Sequence, residues 1–266
     1  MPHHTEGTVI YQTYDEHGLI EVVDSGPIRS LHFGTEARQS SMYKFAPRQL
    51  CLNYTRAMMA WRLFRETWQY ALMIGLGGGS LAKVLLNDFA TGKLDVVECR
   101  ACVVEVAQRY FALPQDEARL NITVGDGGEY VHHAARQTPG RYDLLLIDAY
   151  DHAAMSPAVD GVAFYVCCRD ILTADGILVV NLWGSDHDPF RHSLQAIGIA
   201  FAWRVLLLPV KDRANVIVLA FAASTPLPAR RVLREKARAL QTQSQLEYLT
   251  FLKDLIPLSH ELGAPF

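Results

Sequence analysis

The sequence predicts an α/β protein: a doubly wound, mostly parallel sheet of seven strands preceded by a small antiparallel β module. Three observations carry this expectation. From Gln69 onward, near-continuous apolar runs alternate with helix-like segments, the pattern of parallel strands covered on both faces by crossover helices. The run MIGLGGGSLAKVL, Met73–Leu85, sets a glycine turn between the first of those strands and the first of those helices. Before Gln69 the pattern is different, with short β-rich stretches separated by turn residues.

Taken in order, TVIYQTY, LIEVVDS and IRSLHFG read as strands, punctuated by DEHG and DSGP. PRQLCLNYTRAMMAWRLF, Pro47–Phe64, has helical periodicity, with Leu50, Tyr54, Ala57, Met58 and Trp61 on one side. The strands that follow are YALMIGL, KLDVVEC, LNITVGD, YDLLLIDAY and GILVVNLW. The intervening helices are read at Ser80–Asn87, Ala101–Tyr110, near Glu129–Arg136, within GVAFYVCCRDIL, and at Pro189–Ile199. WRVLLLPV and NVIVLAFA, joined only by KDRA, must pair antiparallel. The stretch Ala229–Leu262 reads as outer helices. The expected divisions are a β module at 1–46, a linker helix at 47–68, a Rossmann-like domain at 69–225 and terminal helices at 226–266.

Composition narrows the function. The 266 residues are 50% hydrophobic and 20% charged, with a formal net charge of -3. No basic stripe suggests nucleic acid, since the cluster from Arg230 to Arg238 has the spacing of a solvated helix face. No apolar run is long enough for a membrane span, and MPHHTEGTV lacks signal-peptide character. The five cysteines are an odd count that fits a reducing, cytoplasmic setting. Cys99 and Cys102 have C-x-x-C spacing but no second pair, so they read as buried small hydrophobes. His132 and His133 read as helix-surface residues, and no metal is expected. Trp61, Trp68 and Trp203 read as packing residues.

The chemistry sits at the carboxyl ends of the predicted strands, where ligands of such sheets bind. Gly75, Gly77 and Gly79 let a polar ligand approach bare backbone at a helix start. Glu98 ends the second strand, about twenty residues on, where a carboxylate accepts ribose hydroxyls. Asp126 ends the third strand in VGDGG, as an adenine acceptor or a turn residue. Asp148 ends the fourth, with Asp151 and His152 close behind, and paired carboxylates there could hold and deprotonate an amine. Trp183, ending the fifth, is placed to line the cleft, two residues after Asn181. These features alone imply an adenosine-type cofactor of either the dinucleotide or the sulfonium class.

In this order and spacing, ARQSSMYKF, YTRAM, IGLGGGSL, VVECRACVVEVAQRYF, VGDGGEYV, YDLLLIDAYD and ILVVNLW resemble the spermidine synthase (polyamine aminopropyltransferase) family, from about Glu6 to Ala222. The resemblance implies a sheet like that of S-adenosylmethionine-dependent methyltransferases. It also implies transfer of an aminopropyl group from decarboxylated S-adenosylmethionine to a polyamine amine, with no metal. By resemblance, Glu98 would hold the ribose, Asp126 and Gly127 the adenine end, and Gly75, Gly77 and Gly79 the turn. Asp148 would accept the attacking amine's proton, Asp151 would help hold the amine, and Gln39, Tyr150 and Trp183 would line the acceptor site. A homodimer or homotetramer is implied in the same way.

The chain departs from the family pattern at three places. The family carries an aspartate inside its glycine turn, where it pairs with the ammonium of the aminopropyl arm; here Gly78 stands instead. Gln39 or Ser40, with Tyr43 nearby, falls where the family has a substrate tyrosine, and Arg100 replaces an acidic residue found in many relatives. A charge-free turn at a helix start suits the carboxylate of an amino-acid arm, so a methyltransferase using S-adenosylmethionine itself stays open. So does a non-catalytic nucleoside binder. A nicotinamide oxidoreductase is disfavoured because Ser80 breaks the third glycine position.

Overall fold

The computed structural model describes residues 7–116, 118–149, 161–184, 187–211 and 214–258. Five antiparallel strands open the chain in simple meander order: β1 (Thr8–Asp15), β2 (Gly18–Ser25), β3 (Ile28–His32), β4 (Arg38–Tyr43) and β5 (Ala46–Leu50). The expected helix from Pro47 therefore starts later. Residues 46–50 complete the sheet as its edge strand, a place where Pro47 has no ladder bond to lose. The helical turn begins at α1 (Asn53–Met58) and tightens into a 3-10 turn at Met59–Leu63, which buries Met59, Ala60, Trp61 and Leu63.

The second sheet alternates as the sequence predicts: β6 (Tyr70–Ile74), α2 (Ser80–Asp88), β7 (Lys93–Glu98), α3 (Ala101–Tyr110), β8 (Leu120–Val124), α4 (Gly127–Gln137), β9 (Tyr142–Ile147), α5 (Val162–Ile171), β10 (Leu172–Trp183) and α6 (His187–Ala200). A hairpin of β11 (Val205–Pro209) and β12 (Asn215–Phe221) follows, then α7 (Arg230–Ser244), α8 (Tyr248–Asp254) and β13 (Ile256–Pro257). The strand order is β13-β11-β12-β10-β9-β6-β7-β8. The seven expected strands are all present, and the two-residue β13 adds an eighth at the β11 edge.

This order makes β6 and β9 neighbours although three helices and two strands separate them in sequence. From β6 the chain winds outward one way to β7 and β8, and from β9 it winds the other way to β10. The crevice beyond the ends of β6 and β9 is the topological switch point, where such sheets bind ligands.

Apolar side chains fill both faces of the sheet. One face packs under α1, the 3-10 turn, α2, α7 and α8, with Trp61 and Trp68 buried there; the other packs under α4, α5 and α6. A third cluster of Ile20, Val22, Leu31 and Met42 meets Val103, Val106 and Phe111, joining the N-terminal sheet to α3. Arg100 fastens the same joint. Its guanidinium is 6% exposed, donates to both carboxylate oxygens of Asp15 at 2.7 and 2.9 Å and to the Gly18 carbonyl at 3.0 Å, and lies 4.4 Å above the Phe33 ring. On α7, Leu233, Ala237 and Leu240 face inward while Arg230, Arg231, Arg234 and Arg238 face solvent, as their spacing predicts. Among the described residues no helix is long and apolar enough to cross a membrane.

Candidate active site

The glycine turn lies against the end of β9. The backbone N–H of Asp148 donates to the Ile74 carbonyl at 2.9 Å, and Gly75 N–H donates to Val97 at 2.8 Å, so β6, β7 and β9 are drawn together at their ends. A Cβ on Gly75 would run into the Asp148 carbonyl oxygen. Gly75, Gly77 and Gly79 have φ of +87°, +53° and +68°, a region where other residues are strained. Gly79 is the residue that starts α2.

Gly78 is tight for a different reason. A Cβ there would sit 2.7 Å from Ser40 Oγ and 2.9 Å from the buried Phe111 ring. The space a side chain would need is filled by β4 of the N-terminal sheet and by the residue after α3. Ser40 Oγ also lies 3.4 Å from Ser80 Oγ, and the Gln39 carbonyl lies beside Gly77. The N-terminal sheet thus forms one wall of the glycine turn, and Gln39 and Ser40 are both at that wall.

Beneath it, Lys83 of α2 is 2% exposed. Its ammonium donates to the Phe111 carbonyl at 2.7 Å and reaches the Met42 sulfur at 3.3 Å. Burial pulls its pKa down to about 8.

Glu98 is a buried, doubly held carboxylate. Oε2 accepts from Leu76 N–H at 2.9 Å and Oε1 from Arg100 N–H at 3.0 Å. That fixes its plane at the end of β7 while leaving lone pairs free, which a mere solvated strand end would not do. Asp126 is exposed and accepts from Glu129 N–H at 2.8 Å, capping α4, with Gly127 buried as the first residue of that helix. The turn role and the strand-end position coincide in this residue.

Asp148 follows the last residue of β9. Burial raises its pKa above the usual carboxylate range, and the negative charge of Glu98 adds to the rise; hydrogen bonds from Asn181 and Tyr54 oppose it. Asn181 Nδ2 donates to Asp148 Oδ1 at 2.9 Å, and Asn181 Oδ1 in turn accepts from Asn215 Nδ2 at 3.0 Å. The Tyr54 hydroxyl also lies 3.3 Å from the Gln39 carbonyl. Trp183 follows Asn181 by two residues on β10, so it stands on the same face, and it is 47% exposed. Asp151, Tyr150 and His152 lie outside the described residues.

Three expectations need correction or extension. Cys99 is exposed rather than buried, while Cys102 is half-buried against the cluster that joins the N-terminal sheet to α3. The Cys99 thiol is pushed up to about 11 by partial desolvation and by the adjacent Glu98 charge. His132 is partly buried, with Nδ1 3.2 Å from Cys167 Sγ, while His133 is exposed. Tyr54 and Asn215 belong to the site although the sequence reading gave them no role there. Among the described residues no cluster of metal-ligating side chains occurs.

The assembled features are a glycine turn with positive φ at three positions, a fixed carboxylate at the end of β7, and the Asp148 carboxyl, pushed up in pKa, at the end of β9. They suit a nucleoside whose arm is presented to a proton acceptor. Residues 52–187 match the spermine/spermidine synthase domain. A curated polyamine aminopropyltransferase of Chromobacterium violaceum is 33% identical over 237 residues, spanning 89% of this chain and 88% of that protein. Human methyltransferase-like protein 13, solved in complex with SAH, superposes with a TM-score of 0.67 at 25% identity, over 73% of this chain and 93% of that one. A spermidine synthase solved with the transition state analogue AdoDATO superposes with a TM-score of 0.70 at 20% identity, over 91% and 84%. The chain belongs to the spermine/spermidine synthase family.

Proposed function

We propose that the protein transfers the aminopropyl arm of decarboxylated S-adenosylmethionine to the amine of a small polyamine. The observation that carries this reading is Asp148 at the switch point: its backbone carbonyl abuts the glycine turn, and its carboxyl, pushed up by burial, is bonded by Asn181 and Tyr54. The name of its Chromobacterium relative supports it. A protonated amine is not a nucleophile, so a carboxylate must take its proton as it attacks the carbon beside sulfur. A carboxylate with a raised pKa is a stronger proton acceptor, and the sulfonium provides the leaving group. In this reading Glu98 accepts from the ribose hydroxyls, Asp126 and Gly127 meet the adenine end, and the turn of Gly75, Gly77 and Gly79 passes beside the arm. Gln39 and Trp183 flank the acceptor, with Tyr150 and Asp151 assigned to the same pocket.

A second reading rests on Gly78. The aspartate that would pair with the arm's ammonium has no room beside Ser40 and Phe111, and the buried Lys83 adds positive charge nearby. Both features suit a carboxylate-bearing arm, that of S-adenosylmethionine, and hence methyl transfer. The human neighbour solved with SAH, whose arm carries that carboxylate, supports this alternative. Titration of the protein with S-adenosylmethionine and with its decarboxylated form separates the readings: tighter binding of the decarboxylated form supports aminopropyl transfer, and the reverse order supports methyl transfer.

A further inference from the structure

We propose that Asn215 is a positioning residue for the transfer step, fixing the Asn181 amide so that its N–H, not its C=O, faces Asp148. The inference rests on the reading of Asp148 as the proton acceptor, and holds for either transferred group. The three side chains form a directed line: Asn215 Nδ2 to Asn181 Oδ1 at 3.0 Å, and Asn181 Nδ2 to Asp148 Oδ1 at 2.9 Å. The two asparagines are 5% and 3% exposed, so water does not substitute freely for either.

The direction matters because the two ends of an amide have the same shape and opposite polarity. With N–H on Asp148, the ionised carboxylate is favoured and can accept a proton. With C=O on Asp148, the protonated acid is favoured, and no acceptor remains. Asn181 alone does not choose between these. As oriented in the structure, Asn215 does, because its N–H saturates the Asn181 oxygen from the far side. The choice counts at this site because desolvation and Glu98 already push toward the protonated form. Tyr54 from α1 and Glu98 from β7 are the other titratable groups described around Asp148.

Among the described residues the Asn215 side chain hydrogen-bonds to Asn181 alone. Its backbone carbonyl accepts from Val210 N–H at 2.9 Å and closes the β11–β12 hairpin without it. It opposes Trp183 at the end of the β10–β12 ladder. A buried amide costs free energy unless bonded, and the Asn181 oxygen supplies that bond.

The test compares wild type with Asn215→Leu, which removes the donor, and Asn215→Asp, which offers the Asn181 amide an acceptor and so reverses its direction. The carboxyl carbon of Asp148 is titrated by NMR in the ligand-free protein, and the pH dependence of kcat is measured with decarboxylated S-adenosylmethionine and an amine. The expected result is an Asp148 pKa higher by about one unit in Asn215→Leu and by more in Asn215→Asp. The acid limb of kcat should move with it, leaving a rate at neutral pH about tenfold lower that recovers in alkali. An unmoved Asp148 titration in both variants overturns the proposal, as does a rate lowered equally at all pH values. If one variant fails to fold, the other decides. Because the NMR titration needs no turnover, a shifted pKa in a protein inactive with every donor would keep the relay and reject the transferase reading instead.

Discussion

Ser40 Oγ occupies the space into which a side chain on Gly78 would grow, 2.7 Å from where its Cβ would lie. One residue of the N-terminal sheet thereby sets what the glycine turn of the second sheet can carry. Gly78→Ala should destabilise the protein by about 1–3 kcal/mol, because the buried Phe111 ring must also shift. Denaturant unfolding of the single variants and of Ser40→Gly/Gly78→Ala should show Ser40→Gly relieving part of that loss. In the same background, Gly78→Asp should move the binding preference toward the decarboxylated cofactor at least about tenfold, the scale of one charge-assisted contact.

Lys83 is buried and has a carbonyl and a thioether for partners, with its pKa pulled down to about 8. The unfolded chain, with the ordinary value of 10.5, binds more protons between those two pH values. Stability contributed through this group therefore rises as pH climbs from about 8 toward 10.5. Lys83→Met should stabilise the protein at pH 7 by about 1–3 kcal/mol, the removed penalty less one hydrogen bond. Urea unfolding at pH 7 and pH 10 checks it, and the gap between the two proteins should shrink at the higher pH.

Arg100 and Asp15 form the ion pair that closes the joint between the two sheets. The guanidinium holds the Asp15 carboxyl below its usual range, against an opposing effect of burial. A depressed carboxylate stabilises the fold above its unfolded pKa, and that stabilisation is lost as pH falls through the folded value. Arg100→Ala leaves a nearly buried carboxylate unpaired and should cost about 3–5 kcal/mol at pH 7. Hydrogen exchange should localise the loss to β1 and β2, and the difference from wild type should fade in acid.

Much of the fold was legible because its signals are local. The apolar strand runs, the glycine turn and the short KDRA link each point to one structure within a few residues. The start of α1 was misread because Pro47–Leu50 forms an edge strand, a role assigned by pairing with β4 rather than by its own periodicity. The carboxylates that end strands, Glu98 and Asp148, were legible for the same local reason. Asn215 was not, since its partner lies 34 residues away across an antiparallel register. The available signal was an asparagine inside the apolar run LVVNLW, which demands a buried partner, and a second one opening VIVLAF. Tyr54 was hidden by its regular place on an apolar helix face, where a hydroxyl adds nothing to the pattern.

In the proposed reaction Asp148 accepts the proton of an amine attacking the carbon beside sulfur. Its raised pKa means that ionising it lowers stability above the ordinary carboxylate range, so Asp148→Asn should be more stable than wild type at pH 7 and equal to it in acid. The most direct test is to incubate wild type and Asp148→Asn with decarboxylated S-adenosylmethionine and a panel of polyamines, following methylthioadenosine and the alkylated amine by mass spectrometry. Wild type should release both in equimolar amounts, with a rate about 2–4 decades lower in Asp148→Asn, the usual scale for losing general base help. Equal rates in the two proteins, or S-adenosylhomocysteine formed from S-adenosylmethionine with no methylthioadenosine from the decarboxylated form, would contradict it.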